Sequence, residues 1–233
     1  MSLYLWIDLL SLSVPLLASF HPRIRLYKNW KALFMALMIT LVPFIIWDAF
    51  FTARGYWGFD QNYVSGIYLF YLPLEEWLFF ICIPYACVFT HLAIVELYPK
   101  LRLSPSVVRV VTYSLMVIFA LLLLLNFDRA YTVVDTIFAI VVLTVAWRMF
   151  RNVLGAFYLT FLVMLIPFFI VNGILTGTGL ERPVVWYDNM ENLNVRLGTI
   201  PVEDVIYAFS LILMNLLLFF RFSSAGTSQR PSD

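Results

Sequence analysis

Pro73-Leu74-Glu75-Glu76-Trp77-Leu78-Phe79-Phe80 opens an apolar run that continues to Val95, and Pro201-Val202-Glu203-Asp204, 128 residues on, opens another that reaches Phe222. Adjacent acids at the head of a stretch long enough to cross a bilayer are costly, about 2.5–3.5 kcal/mol each at mid-depth, so their recurrence calls for a reason. Outward from these segments, further landmarks repeat in the same order. Tyr4 and Asp8 are matched by Tyr131 and Asp135 at an offset of 127. Pro43-Phe44-Ile45-Ile46-Trp47-Asp48 is matched by Pro167-Phe168-Phe169-Ile170-Val171-Asn172, and Asp60 by Asp188. Four ordered matches with little drift in offset mark a duplication. Because Asn172 stands opposite Asp48, the two halves are not chemically equivalent.

The 233 residues are 63% hydrophobic and 12% charged, with a mean hydropathy of +0.90. Soluble domains average roughly 45–50% apolar and about 25% charged, so the chain reads as an all-α integral membrane protein. Apolar stretches cover residues 3–20, 32–51, 74–95, 107–126, 131–150, 154–175 and 201–222, seven in all, each read as a transmembrane helix. Their unbroken apolar character excludes the alternating strands of a β-barrel. The first lacks the basic leader and small-residue cleavage site of a secretory signal and is kept as a helix. A net charge of +1 gives no reason to expect nucleic-acid binding. Cys82 and Cys87 fall in one apolar run on different helix faces and read as core residues.

Seven crossings put the termini on opposite sides. Eleven of the fifteen basic residues fall on one side, among them Arg23, Arg25, Lys28, Lys31, Lys100 and Arg221; only Arg54, Arg129, Arg182 and Arg196 fall on the other. The positive-inside bias then places the N-terminus outside and the C-terminus in the cytoplasm of a multi-pass cell-membrane protein. The long loops 52–73 and 176–200 are external, with Tyr56, Trp57, Trp186 and Tyr187 expected as interfacial anchors. The expected layout is a three-helix repeat at 1–98, a linking helix within 99–128, a second three-helix repeat at 129–222 and a disordered tail at 223–233. The extra crossing gives both copies the same orientation, a parallel repeat.

Asp8, Asp48, Glu75, Glu76, Asp135, Glu203 and Asp204 all fall within or at the ends of crossings, in the external half. No Lys or Arg lies deep in any crossing to pair with them. Desolvation and like charge favour the neutral form of such acids, which makes them candidate proton donors. Pro73 and Pro201 fit the first helical turn, and Arg54 and Arg196 could reach in from the loops; either would favour ionisation. Of each adjacent pair, one acid is expected to face the site and the other to support it, since neighbours project ~100° apart. No Gly-rich nucleotide loop occurs, so no flavin or nicotinamide cofactor is expected. His21 and His91, away from the acids, read as ordinary interfacial histidines and not metal ligands. A retinal protein is excluded because lysine occurs only at Lys28, Lys31 and Lys100.

The Pro73–Phe80 segment, followed by Pro84-Tyr85-Ala86-Cys87 and echoed by Pro201-Val202-Glu203-Asp204, resembles the lycopene cyclase domain family, small membrane-integral carotenoid cyclases. In that family the motif is associated with cyclisation, which points to Glu75, Glu76, Glu203 and Asp204. The resemblance implies acid–base cyclisation of the linear ends of lycopene to rings, with no net redox change. Its expected partners are lycopene or a related linear carotenoid, the lipid bilayer and other carotenoid-pathway enzymes. The chemistry suits the residues independently: a neutral acid protonates a terminal double bond, the carbocation closes a ring, and a nearby carboxylate removes a proton. Tyr71, Trp77, Phe79, Phe80, Tyr85 and Tyr207 could offer aromatic faces to the cation. A proton-coupled carrier or channel is the alternative, since intramembrane acids also mark ion pathways. It would want polar groups continuing to the cytoplasmic side, where these helices offer almost none. A prenyltransferase would need Asp-rich motifs that chelate Mg²⁺, and the acids are not so spaced.

Overall fold

A computed structural model describes residues 2–223; of the expected disordered tail, 224–233 lies outside the described residues. Seven α-helices carry the fold: α1 (Leu3–Ala18), α2 (Trp30–Arg54), α3 (Leu74–Leu97), α4 (Pro105–Leu125), α5 (Ala130–Met149), α6 (Arg151–Leu175) and α7 (Glu203–Phe222). Six of them, α2 to α7, are long and apolar enough to cross a membrane, which makes this a multi-pass, all-helical membrane protein. The first is shorter than its apolar stretch. It has 16 residues, ~24 Å at ~1.5 Å per residue, because Pro22 disfavours helical geometry at His21 and the chain turns at Ser19.

The helices have few polar stripes, since lipid and core are both apolar. Packing therefore follows shape and the placement of buried polar groups. Helix α1 lies against α3 and α5 against α7, while α2 packs on α7 and α6 on α3; α4 rests on α5. Near the end of α1, Ser19 Oγ and Trp30 Nε1 both meet the Tyr85 hydroxyl, at 2.7 and 2.9 Å, tying α1 and α2 to α3. His91 Nδ1 meets Thr160 Oγ1 at 2.8 Å between α3 and α6.

The two long loops, 55–73 and 176–202, contain small strands that short, mixed sequences did not announce. Three antiparallel ribbons form: β1 (Trp57–Phe59) with β4 (Val185–Tyr187), β2 (Tyr68–Leu69) with β3 (Leu72–Pro73), and β5 (Arg196–Leu197) with β6 (Ile200–Pro201). Pro73 and Pro201 thus end strands just before their helices instead of opening the first turn. The loop hydrogen bonds recur at the sequence offsets. Tyr4 N donates to Tyr63 O as Tyr131 N does to Glu191 O; Leu74 N donates to Ile67 O as Val202 N does to Val195 O. In the β1·β4 ribbon Gly58 pairs with Trp186, its own counterpart 128 residues on. Asp60 N donates to Val184 O and Asp188 N to Tyr56 O, one bond on each side of that pair. A local twofold therefore passes through the ribbon, at one end of the helices.

Candidate active site

Beneath the β1·β4 ribbon lies a cavity of about 250 Å³. Helix periodicity decides what lines it. On α3 the lining residues are Glu76, Phe79, Ile83, Ala86, Cys87 and Thr90, one continuous face at spacings of three and four. On α7 they include Asp204, Tyr207, Ala208 and Leu211. Glu76 and Asp204 fall on these faces, whereas Glu75 and Glu203, ~100° away, do not. The α2 and α6 counterparts Asp48 and Asn172 line the cavity as well.

The two sides of the cavity differ as their sequences differ. On the α2–α3 side, Tyr4 OH donates to Glu76 Oε2 at 2.6 Å, while Trp57 Nε1 donates to Asp48 Oδ1 at 2.5 Å and Thr52 Oγ1 reaches the same oxygen at 3.4 Å. The Asp48 and Glu76 carboxyl groups are close neighbours in the cavity wall. Asp48 Oδ2 has no hydrogen-bond partner. Two carboxyl groups so placed cannot both be ionised without strong repulsion, and one shared proton relieves it. On the α6–α7 side three donors converge on Asp204: Tyr131 OH at 2.7 Å, Asn172 Nδ2 at 2.8 Å and Tyr187 OH at 3.0 Å. Burial and then the Asp204 carboxylate hold the Tyr187 phenol well above its ordinary value, so it remains a donor through the neutral range.

The other four acids form two matched clusters outside the cavity lining. Glu75 Oε1 accepts from Ser65 N at 2.6 Å and Ser2 Oγ at 2.5 Å; Glu203 Oε1 accepts from Leu193 N and Thr132 Oγ1, both at 2.7 Å. These bonds hold the two long loops onto the helix starts. Asp8 sits beside Glu75 and Asp135 beside Glu203, each fully buried and with neither carboxyl oxygen hydrogen-bonded. Arg54 and Arg196 do not reach the acids. Arg54 stacks on Phe50, and Arg196 bonds Thr199 O and Asn189 Oδ1 in its own loop.

Among the aromatics, Phe79 and Tyr207 line the cavity. Phe80 packs behind it on Phe44, Tyr85 serves the helix junction described above, Trp77 bonds Leu69 O and Tyr71 is exposed. Trp57 and Tyr187 differ from their expected role as interfacial anchors: the ribbon turns both inward onto the acids, and Trp186 alone of its strand is exposed. Tyr4 and Tyr131 had a signal in the sequence, as matched tyrosines one turn before the matched aspartates. No grouping of three or more His, Cys, Asp or Glu that could hold a metal occurs among the described residues.

Fold and site together define a multi-pass membrane protein with a carboxyl-bearing, aromatic-walled cavity near one membrane face. The lycopene cyclase family matches residues 1–94 and 128–222, and the chain belongs to that family, the carotenoid cyclases of carotenoid biosynthesis. The two matched segments fall on either side of α4. Neither the curated proteins nor the solved structures include a significant match.

Proposed function

We propose that the protein cyclises the linear ends of lycopene by acid–base chemistry, with the Asp48–Glu76 pair as acid and Asp204 as base. The asymmetry at one matched position carries this reading. Asp48 puts a second carboxyl beside Glu76, a pair that keeps a proton available. Asn172, at the same place in the other half, gives Asp204 an amide donor, and with two phenols it stabilises a carboxylate. The shared proton passes to the terminal double bond, and the carbon that becomes cationic is attacked by the neighbouring double bond, closing a six-membered ring. Loss of a ring proton to Asp204 leaves a neutral isomer of the substrate, and return of that proton from Asp204 to the Asp48–Glu76 pair, directly or through water, resets the site, so atoms, electrons and protons balance over the cycle. Phe79, Trp57, Tyr131 and Tyr207 line the cavity and offer π faces to the transient cation. Glu75, Glu203, Asp8 and Asp135 position the helix starts that carry the reacting pair. The chain is taken as two parallel three-helix repeats, 1–98 and 129–222, linked through 99–128.

Pigment analysis in a lycopene-accumulating host tests the assignment. The wild-type chain yields ringed carotenoid, and Asp48→Asn, which leaves an amide where the proton was shared, lowers ring formation by about 10²–10⁴-fold while the protein still inserts. A wild-type chain that leaves lycopene linear refutes the cyclase reading. An active Asp48→Asn variant refutes the acid pair.

A further inference from the structure

The cavity does not stop at the acids. From Glu76 its lining follows α3 to Thr90, 14 residues or ~21 Å, with Ser11 and Pro15 of α1 on one wall and Phe161, Met164 and Phe168 of α6 on the other. Apart from Ser11 and Thr90, this extension is apolar. The duplication supplies a comparison inside the same molecule. The matching groove, bounded by α5, α7 and α2, is filled: Phe138 stands where Ser11 does, Met214 where Ala86 does and Trp47 where Val171 does. Phe138 packs edge-on against Phe44 at 4.9 Å and lies 6.1 Å from Trp47, which in turn lies 4.8 Å from Tyr207. Small side chains keep one groove open, and large ones close its twin.

We propose that the groove between α1, α3 and α6 holds the polyene tail while the end group reacts, and that Ser11, Ala86 and Val171 set its width. This rests on the cyclase reading above. The flanks support entry from the bilayer, since Leu10 and Val14 of α1 and Ile166 and Phe169 of α6 are exposed beside it. The groove's ~21 Å covers most of a polyene about as long as the ~30 Å hydrocarbon core, with the far end left among lipids. Ser11, Ala86 and Val171 act on which chain fits, not on proton transfer.

The test gives the groove the side chains of its closed twin. Purified wild-type protein, Ser11→Phe and Ala86→Met, in lipid, are assayed with full-length lycopene and with a short acyclic polyene that carries the same end group. Leu124→Phe, on the exposed face of α4, which contributes nothing to the groove, is the control for bulk alone. The ratio of short-chain to full-length turnover rises at least tenfold in both groove variants and is unchanged in the control. Equal losses on both substrates, or undiminished full-length turnover, overturn the proposal. A wild-type protein that cyclises neither substrate refutes the cyclase reading instead. Should the bulky variants fail to insert, Cys87, which lines the groove, reports in a Cys82→Ser background. Bound lycopene slows its alkylation by a small apolar thiol reagent at least tenfold, and an unchanged rate overturns the assignment.

Discussion

The contrast between Glu76 and Glu75 is one of orientation, not of chemistry. Adjacent glutamates at the head of one helix share the same depth, yet one turns to the cavity beside Asp48 and the other accepts the Ser65 N–H and the Ser2 hydroxyl. The same division separates Asp204 from Glu203. Replacing a carboxyl by its amide therefore has two expected outcomes. Glu76→Gln and Asp204→Asn remove a group that must exchange protons, and cyclisation falls about 10²–10⁴-fold with the fold intact. Glu75→Gln and Glu203→Gln keep an acceptor oxygen for the loop N–H, but the amide replaces an oxygen that has no partner at 203 and meets only the Ser65 hydroxyl, at 3.2 Å, at 75. They cost stability, about 1–3 kcal/mol, and less than tenfold in rate. Turnover in lipid alongside thermal melting separates the two classes. A Glu75→Gln variant as inactive as Glu76→Gln, with unchanged melting, would move Glu75 into the proton path.

At the level of elements, the β1·β4 ribbon deserves its place because it brings Trp57 and Tyr187 over the acids from opposite halves. Its centre tolerates little: a Cβ added at Gly58 would lie 2.5 Å from Trp186 Cζ2, so the indole or the strand must shift. Gly58→Ala is expected to cost about 1–3 kcal/mol and to slow cyclisation by displacing both donors. Trp186→Ala in the same chain removes the clash and recovers most of the loss, a non-additivity that a double-mutant cycle measures; additive losses would show that the ribbon does not position the site. None of this was readable from the sequence, because three-residue strands carry no periodicity and β1 and β4 pair across more than a hundred residues. The helices were legible from unbroken apolar length, and the acids from their recurrence. The cavity-facing member of each acid pair was not, since its direction has meaning only once the neighbouring helices define a cavity. Trp57 and Tyr187 were read from loop position as interfacial anchors, and loop position alone does not reveal that paired strands fold them inward.

For the molecule as a whole, α1 is the helix whose crossing has to be argued, because it has only 16 residues. Its place in the fold argues that it crosses as α5 does. Both begin beside the start of a long helix, with Tyr4 OH on Glu76 and Tyr131 OH on Asp204, and both carry a buried aspartate one turn further in. Helix α5 meets the length for a span, so its counterpart, held at the same depth, starts at the same face. The deficit falls at the other end, where α1 stops near Tyr85 while α3 runs on to Leu97. There the chain turns through Arg23, Arg25, Lys28 and Lys31, whose long side chains can reach the lipid headgroups and thin the bilayer locally at modest cost. The expected topology is seven crossings, with the N-terminus outside and the C-terminus in the cytoplasm. Single cysteines placed at Ser2 and at the exposed Arg221 in a chain lacking Cys82 and Cys87 test it with a membrane-impermeant thiol reagent. In intact cells Ser2→Cys is labelled and Arg221→Cys is labelled only after permeabilisation. Labelling of both from the same side would mean that α1 does not span, and that the acid cluster it shares with Glu75 must be reached in some other way.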